Sequence, residues 1–351
     1  MQYVKNRIAS SETKLSQNST IDAIHDHSNH ENLTTTSGEL NVTIAMKFPR
    51  SDRLGSNVQR PLHLMAYSYC KGYKFCIGPG RAGISSIFHF PTCPDNIVDI
   101  HVGTIFETEV NRSGSYTFHR DDGALLNAVA TNIECALAPS TRKIWRDMIF
   151  SAPQFQDPHN VAVQNLFGNT TAVTVAVHIR RGDVRLGHPG FFTDDVFVFA
   201  IKELQARIAK TGRDTEVHIF SEDYGDTNWT AYDGLVDTDK MHLAPQYHVN
   251  PIGRDKMDLD LNLRDWKHFI TADVLVVGGT FSNIASLARE DPDETTGLPL
   301  TIISCKFNAK KDLCNKANRF TWSGVFLKHN FKYDPAGTEL LNLPSVFDNK
   351  I

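Results

Sequence analysis

The sequence predicts an α/β fold with open parallel sheets, on three observations. Strand-like and helix-like patterns alternate through residues 172–304, as they do in a run of βα units. The strand-like runs AVTVAVHI (172–179) and DVLVV (273–277) are apolar on both faces, as parallel strands covered by helices must be. Polar segments follow those runs, at the carboxyl ends where open sheets hold ligands. The chain has 351 residues, enough for two domains of about 100–200 residues each.

Residues 1–43 carry twelve Ser and Thr and one aromatic, Tyr3. Such a stretch cannot bury enough surface to offset the entropy of ordering and reads as a flexible tail or stem. His25, His27 and His30 read as part of that solvated tract. A first region, 44–165, holds a helix from Val58 to Cys70, a strand from Tyr73 to Ile77 and a helix near Arg142–Ile149. SAPQFQDPHN (151–160), with Pro153 and Pro158, reads as a connection to the second region, 166–351.

In the second region Ala172–Ile179 is the first strand. Thr193 and Asp194 can cap a helix to Lys210, in which Phe197, Ile201, Leu204 and Ile208 share a face and Gly212 closes the end. Glu216–Phe220 is the next strand. Leu259, Leu263, Trp266 and Ile270 mark a helix, Asp273–Val277 a strand, Ser282–Arg289 a helix and Leu300–Ser304 a strand.

Composition narrows the function. Lys plus Arg number 36 against 40 Asp plus Glu, a net charge of −4, so nothing suggests a footprint for nucleic acid or an anionic bilayer. No apolar run approaches the ~18 residues of a membrane helix, and MQYVKNRIASSETK lacks a signal-peptide core; the chain reads as soluble as written. Six cysteines are too few for a disulfide scaffold at this length, and no CxxC pair suggests zinc. Cys305 and Cys314 bracket a short lysine-rich segment and are either bridged, in an oxidising compartment, or separate buried thiols. Asn18, Asn32, Asn41, Asn111, Asn169 and Asn228 each open an Asn-x-Ser/Thr triplet, a mild excess.

Three segments at the strand ends carry the chemistry: HIRRGD (His178–Asp183), SED (Ser221–Asp223) and GGTFS (Gly278–Ser282). Two adjacent arginines leaving a buried strand are costly unless paired, and a guanidinium fork matches phosphate oxygens. GGTFS adds hydroxyls and backbone amides at the start of a helix. Together they describe a diphosphate site. One arginine instead pairing with Asp183 to shape the loop is the structural alternative, and the second arginine can be structural in either case.

Two further motifs compete. GPGRAG (78–83) follows the strand KFCI and formally satisfies a dinucleotide fingerprint, which would make an NAD-dependent oxidoreductase. Pro91 cuts short the helix it should open, and Pro79 stands where the tight turn needs freedom; a glycine-rich loop fits better. Asp258 and Asp260 form a DxD, but they stand at the start of an amphipathic helix, where carboxylates favour the helix dipole, and residues two apart do not share a helix face.

VAVHIRRGDV, with His178, Arg180, Arg181 and Asp183, resembles the HxRRxD motif of the GDP-fucose-dependent fucosyltransferases, the superfamily of α1,2-, α1,6- and protein O-fucosyltransferases. ADVLVVGGTFSNIASLA (272–288) resembles its later motif, HIFSED (218–223) the strand end between them, and DRLGSNVQ (52–59) is similar to its glycine-rich opening loop. The resemblance, over residues 45–305, implies a GT-B-like fold of two facing Rossmann-like domains, with the donor held by the C-terminal one. By position, Arg180 would hold the β-phosphate, while His178, Arg181 and Asp183 would shape the nucleotide site. Ser221, Glu222, Thr280, Phe281 and Ser282 would line the donor, with Gly55 and Asn57 reaching it from the first domain.

The implied reaction is inverting fucosyl transfer from GDP-fucose to a glycan or protein hydroxyl, without metal or resident cofactor. Arg180 would stabilise the leaving diphosphate, and Asp183, Glu222 and Asp223 are candidates for the base. A sugar-nucleotide-binding protein without turnover would carry the same nucleotide motifs. The compartment implied is the Golgi or endoplasmic reticulum, if an N-terminal anchor precedes this sequence.

Overall fold

Val42, Ile44 and Met46 alternate with Thr43 and Ala45 in a buried strand, β1 (Val42–Met46), that starts within the segment expected to be tail. The computed structural model describes residues 42–46, 54–77, 88–93, 114–118, 133–168, 171–181, 184, 191–223, 228–245, 256–308, 311–312, 325–330 and 339–341. Helix α1 (Leu54–Cys70) follows β1 and begins before Val58, so that Leu54, Gly55 and Asn57 are already helical. Strands β2 (Lys74–Ile77) and β3 (Gly114–Phe118) pair parallel to β1 on either side, giving a three-stranded sheet in the order β2-β1-β3.

Four cysteines of this region are joined in two bridges that the sequence reading did not pair. Cys70 at the end of α1 is bonded to Cys135 in the short helix α2 (Ile133–Ala136), and Cys76 in β2 to Cys93. The partners are 65 and 17 residues apart in sequence, and only the fold brings their Cα atoms to 5.7 and 4.9 Å. The Cys305 and Cys314 side chains lie outside the described residues, as do GPGRAG and residues 1–41.

Helix α3 (Pro139–Phe150) buries Thr141, Arg142, Trp145 and Ile149 on one stripe. The expected connection after it is not featureless. It forms α4 (Pro153–Gln156), then a 3₁₀ turn at Val161–Val163 whose first amides are capped by Asn160, with the Ala162 N–H donating to Asn160 Oδ1 at 2.8 Å.

The second sheet contains β4 (Val173–His178), β5 (Thr215–Asp223), β6 (Met241–Pro245), β7 (Val274–Val277), β8 (Leu300–Asn308), β9 (Lys311–Asp312), β10 (Val325–Asn330) and β11 (Glu339–Leu341). It is eight-stranded in the order β11-β10-β8-β7-β4-β5-β6, with β9 hydrogen-bonded to β8. Neighbours from β10 to β6 run parallel, while β9 and β11 are antiparallel additions. The α/β class with parallel sheets is therefore as the sequence predicts. Strands β1, β3, β6 and β9–β11 were not foreseen.

Helix α5 (Asp194–Lys210) connects β4 to β5, α6 (Lys256–Thr271) precedes β7, and α7 (Thr280–Ser286) connects β7 to β8. Gly212, at φ 76°, ends α5 as expected, but the Thr193 hydroxyl makes no capping bond. The two faces of the sheet are filled separately. Val173, Val175, Val177, Val217 and Ile219 pack with Phe197, Ile201, Leu204 and Ile208 of α5. On the other face Ala176, Phe220 and Leu275 join Leu263, Trp266 and Phe269 of α6, Ile284 of α7 and the apolar side chains of α1 and β1 in one continuous core. Residues 40–351 thus form one compact unit holding both sheets.

Candidate functional site

Strand order places the site. From β4 the chain steps to β5 and then β6 on one side, and afterwards returns to β7 on the other side of β4. Order therefore reverses between β4 and β7, and the carboxyl ends of two strands that diverge in this way leave a crevice where ligands bind in open α/β sheets. HIRR leaves β4 there and GGTFS leaves β7.

The two segments interlock. A Cβ on Gly278 would stand 1.9 Å from the His178 carbonyl oxygen, so no other residue fits without moving backbone. His178 Nδ1 lies 2.8 Å from Ser282 Oγ, and both side chains are buried. The Ser282 hydroxyl donates to the Gly279 carbonyl oxygen at 3.2 Å, which leaves the His178 Nδ1–H to donate to Ser282 Oγ. Phe269 and Phe281 flank the imidazole with ring centroids at 5.5 and 5.6 Å.

Arg180 and Arg181 diverge, because successive residues of an extended chain point to opposite sides. The Arg180 stem crosses Gly279, with Cδ 3.1 Å from where a Cβ on that glycine would stand, and the side chain is half-buried. Arg181 turns the other way, into the α5 side, and is buried. Its guanidinium pairs with Asp194, lies 4.6 Å above the Phe191 ring and donates to the Arg180 carbonyl oxygen at 3.0 Å. The Tyr232 hydroxyl donates to the same Asp194 oxygen at 2.9 Å, and burial first, then Asp194, raises that phenol well above its usual range. Asp183 lies outside the described residues, so neither its proposed pairing nor its place is described.

The first region reaches GGTFS through α1. A Cβ on Gly55 would stand 2.8 Å from the Phe281 Cα and 3.0 Å from its nitrogen. Phe281 is held also by Trp266, whose indole N–H donates to the Phe281 carbonyl oxygen at 3.1 Å, and Trp266 stacks on Phe88 of the first region at 5.8 Å. Thr280 is half-buried at the first turn of α7. The Asn57 side chain is outside the described set.

SED is not a loop after the strand, as the sequence suggested. It continues β5, where Ser221, Glu222 and Asp223 pair with Leu243, Ala244 and Pro245 of the unforeseen β6. Alternation puts Glu222 on the His178 face and Ser221 on the α5 face, where its buried hydroxyl donates to the Glu222 carbonyl oxygen at 3.0 Å. The Asp223 side chain lies outside the described residues.

Sequence reasoning missed a polar cluster deeper on the same face. His218 Nε2 donates to Glu216 Oε1 at 3.0 Å, and the Gly168 N–H donates to the same oxygen at 2.8 Å. That leaves His218 Nδ1 to accept from His242 Nε2 at 2.8 Å, with the two ring planes within 19° of each other. His268 donates from Nδ1 to the Arg264 carbonyl oxygen and accepts the Leu166 N–H. Burial lowers all three, His242 to about 3 and His268 to about 4. The available signal was Glu216 and His218 at i, i+2 within the run EVHIF, whose other residues are apolar.

The DxD stands within α6 as expected of a helix start. Asp260 accepts from Asn160 Nδ2 at 2.9 Å, and the Asp258 side chain is outside the described residues. Among the described residues no group of three or more His, Cys, Asp or Glu side chains is arranged to hold a metal ion.

Comparison with known proteins adds no identity: no family model matches the chain, and no curated protein matches it.

Proposed function

We propose that this chain is a fucosyltransferase that transfers fucose from GDP-fucose to a glycan or protein hydroxyl, with inversion and without a metal. In this reading the two sheets belong to a GT-B-like pair of facing Rossmann-like domains, 44–165 and 166–351, with the donor on the second; the support is the α/β fold with parallel sheets. The observation that carries the reading is the His178–Ser282 hydrogen bond of 2.8 Å, which locks HIRR to GGTFS at the point where strand order reverses. It supports a diphosphate site because the same lock lays the Arg180 stem across Gly279, beside the half-buried Thr280.

In this reading the acceptor oxygen attacks the fucose anomeric carbon, the bond from that carbon to the β-phosphate oxygen breaks, and GDP departs with the bonding pair. The guanidinium of Arg180 neutralises the charge that builds on the diphosphate. Arg181 contributes by position: its buried pair with Asp194 fixes the backbone from which Arg180 projects. The acceptor proton passes to a carboxylate, for which Asp183, Glu222 and Asp223 are candidates; the His178 face favours Glu222 among those described. Phe281, Ser282, Gly55 and Asn57 belong to the donor wall.

The test is thermal shift with GDP, GDP-fucose, NAD and NADP, followed by GDP release in the presence of acceptor sugars and peptides. A ligand at 100 times its Kd adds about 2.7 kcal/mol. Stabilisation by GDP and GDP-fucose with turnover in chelator is expected. A shift with NAD alone overturns the reading in favour of an oxidoreductase. Stabilisation without GDP release leaves a binding protein. Loss of activity in chelator and in Asp258→Asn with Asp260→Asn, with manganese restoring the chelated enzyme, removes the metal-independent mechanism.

A further inference from the structure

Asn228, Trp229 and Thr230 form a sequon in the connection between β5 and β6, and it is the one sequon of the chain whose asparagine and hydroxyl residue are both among the described residues. Two features of the triplet and one of the chain as a whole bear on it, none of which depends on the donor reading.

The first is presentation. Asn228 and Thr230 are exposed, while the residues around them anchor the segment. Trp229 is half-buried and packs 5.9 Å from the ring of Tyr232, which is fully buried and bonded to Asp194. The triplet is therefore held at the surface with its two reactive residues outward, and a large substituent there displaces no core side chain.

The second is the direction of the Asn228 amide. Its Oδ1 accepts the Thr230 N–H at 3.0 Å. That bond engages the oxygen and not the nitrogen, the atom to which a sugar attaches. An N-glycosylated asparagine keeps Oδ1 as an acceptor, so the same bond persists in the modified protein.

The third is redox compartment. Cys70–Cys135 and Cys76–Cys93 are bonded, and disulfides form and persist in oxidising compartments such as the endoplasmic reticulum, where sequons are also modified. Two independent features of one chain, paired cysteines and a presented sequon, thus point to the same environment.

We propose that Asn228 carries an N-linked glycan. The donor is a lipid-linked oligosaccharide diphosphate, used by the host's membrane oligosaccharyl transferase. The bond formed joins Asn228 Nδ2 to the anomeric carbon of the first sugar. The bond broken joins that carbon to the lipid diphosphate, which leaves with the bonding pair while one Nδ2 proton passes to a base.

The experiment expresses the full chain behind a cleavable leader in cells that glycosylate secreted proteins. Tryptic peptides are read by mass spectrometry with and without peptide N-glycosidase. The expected result is a peptide that carries glycan on Asn228 and in which enzymatic release leaves that asparagine deamidated, with the mass of an aspartate. Asn228→Gln and Thr230→Ala should each lose one glycan on a gel, whereas Thr230→Ser keeps it. Recovery of the Asn228 peptide unmodified from folded, disulfide-bonded protein overturns the proposal, whether or not other sequons are occupied. Because the wild-type peptide alone decides, a variant that fails to fold leaves the outcome intact.

Discussion

Gly55 meets Phe281 backbone to backbone, close enough that a Cβ on the glycine would stand 2.8 Å from the Phe281 Cα. Residues 226 positions apart are thereby in contact at the rim of the candidate site, and the first turn of α1 rests on the TFS segment.

Gly55→Ala tests that contact. Alanine in a helix ordinarily stabilises by roughly 1 kcal/mol over glycine, but overpacking against backbone costs about 1–3 kcal/mol. Backbone of Phe281 cannot rotate away as a side-chain tip can, and its carbonyl oxygen is tied to the Trp266 indole N–H. The expected result is a lower melting temperature together with weaker GDP binding in a titration. Unchanged binding with raised stability would show that the two segments move apart freely.

Arg180 and Arg181 should separate by assay. Arg180→Lys keeps the charge and loses the fork, so turnover should fall by about a hundredfold or more, equivalent to roughly 2.7–4 kcal/mol, with little change in melting. Arg181→Ala leaves Asp194 and Tyr232 without their cation, and should cost roughly 2–3 kcal/mol of stability. That is less than the ~3–5 of a fully buried pair, because Asp194 keeps some contact with water. Near-normal turnover in well-folded Arg180→Lys would remove the residue on which the transferase reading depends.

Acid should weaken the fold through its neutral histidines. Burial holds His63 at about 4, His268 at about 4 and His242 at about 3. In the unfolded chain these groups take up protons below about 6.5, so the unfolded state binds more protons there. Stability is then full above pH 6.5 and falls towards pH 4. His63 and His268 should each contribute a loss on the order of 2 kcal/mol by pH 5, and the more open His242 less. Asp265, raised to about 6 by burial, works in the opposite direction below pH 6 but is one group against four, since burial lowers His218 as well. Urea midpoints between pH 7.5 and 5 measure the slope; stability that stays level would mean that the imidazoles gain protons without leaving the fold.

The disulfides should differ in weight. Cross-linking lowers unfolded-chain entropy more for longer loops. With separations of 65 and 17 residues, removal should cost about 4 kcal/mol for Cys70→Ser with Cys135→Ser and about 3 for Cys76→Ser with Cys93→Ser. Melting of the two double variants under non-reducing conditions gives the order. The reverse order would show that the shorter bridge carries native packing of β2 besides its loop closure.

Much of the second sheet is legible in the sequence because its signals are local. Val173–His178 and Val274–Val277 are apolar on both faces, and Phe197, Ile201, Leu204 and Ile208 recur at helical spacing, so the strands and α5 stand within a residue or two of their expected places. The motif segments could be placed at strand ends for the same reason. What a linear pattern does not contain is which strands adjoin. The reversal of order between β4 and β7, the pairing of SED with β6, the bonds between Cys70 and Cys135 and between Cys76 and Cys93, and the parting of Arg180 from Arg181 all depend on neighbours far away in the chain. Periodicity and turn residues express the backbone's own preferences over a few residues. Contacts such as Gly55 with Phe281 or His178 with Ser282 exist only once burial of the shared core has brought distant segments together.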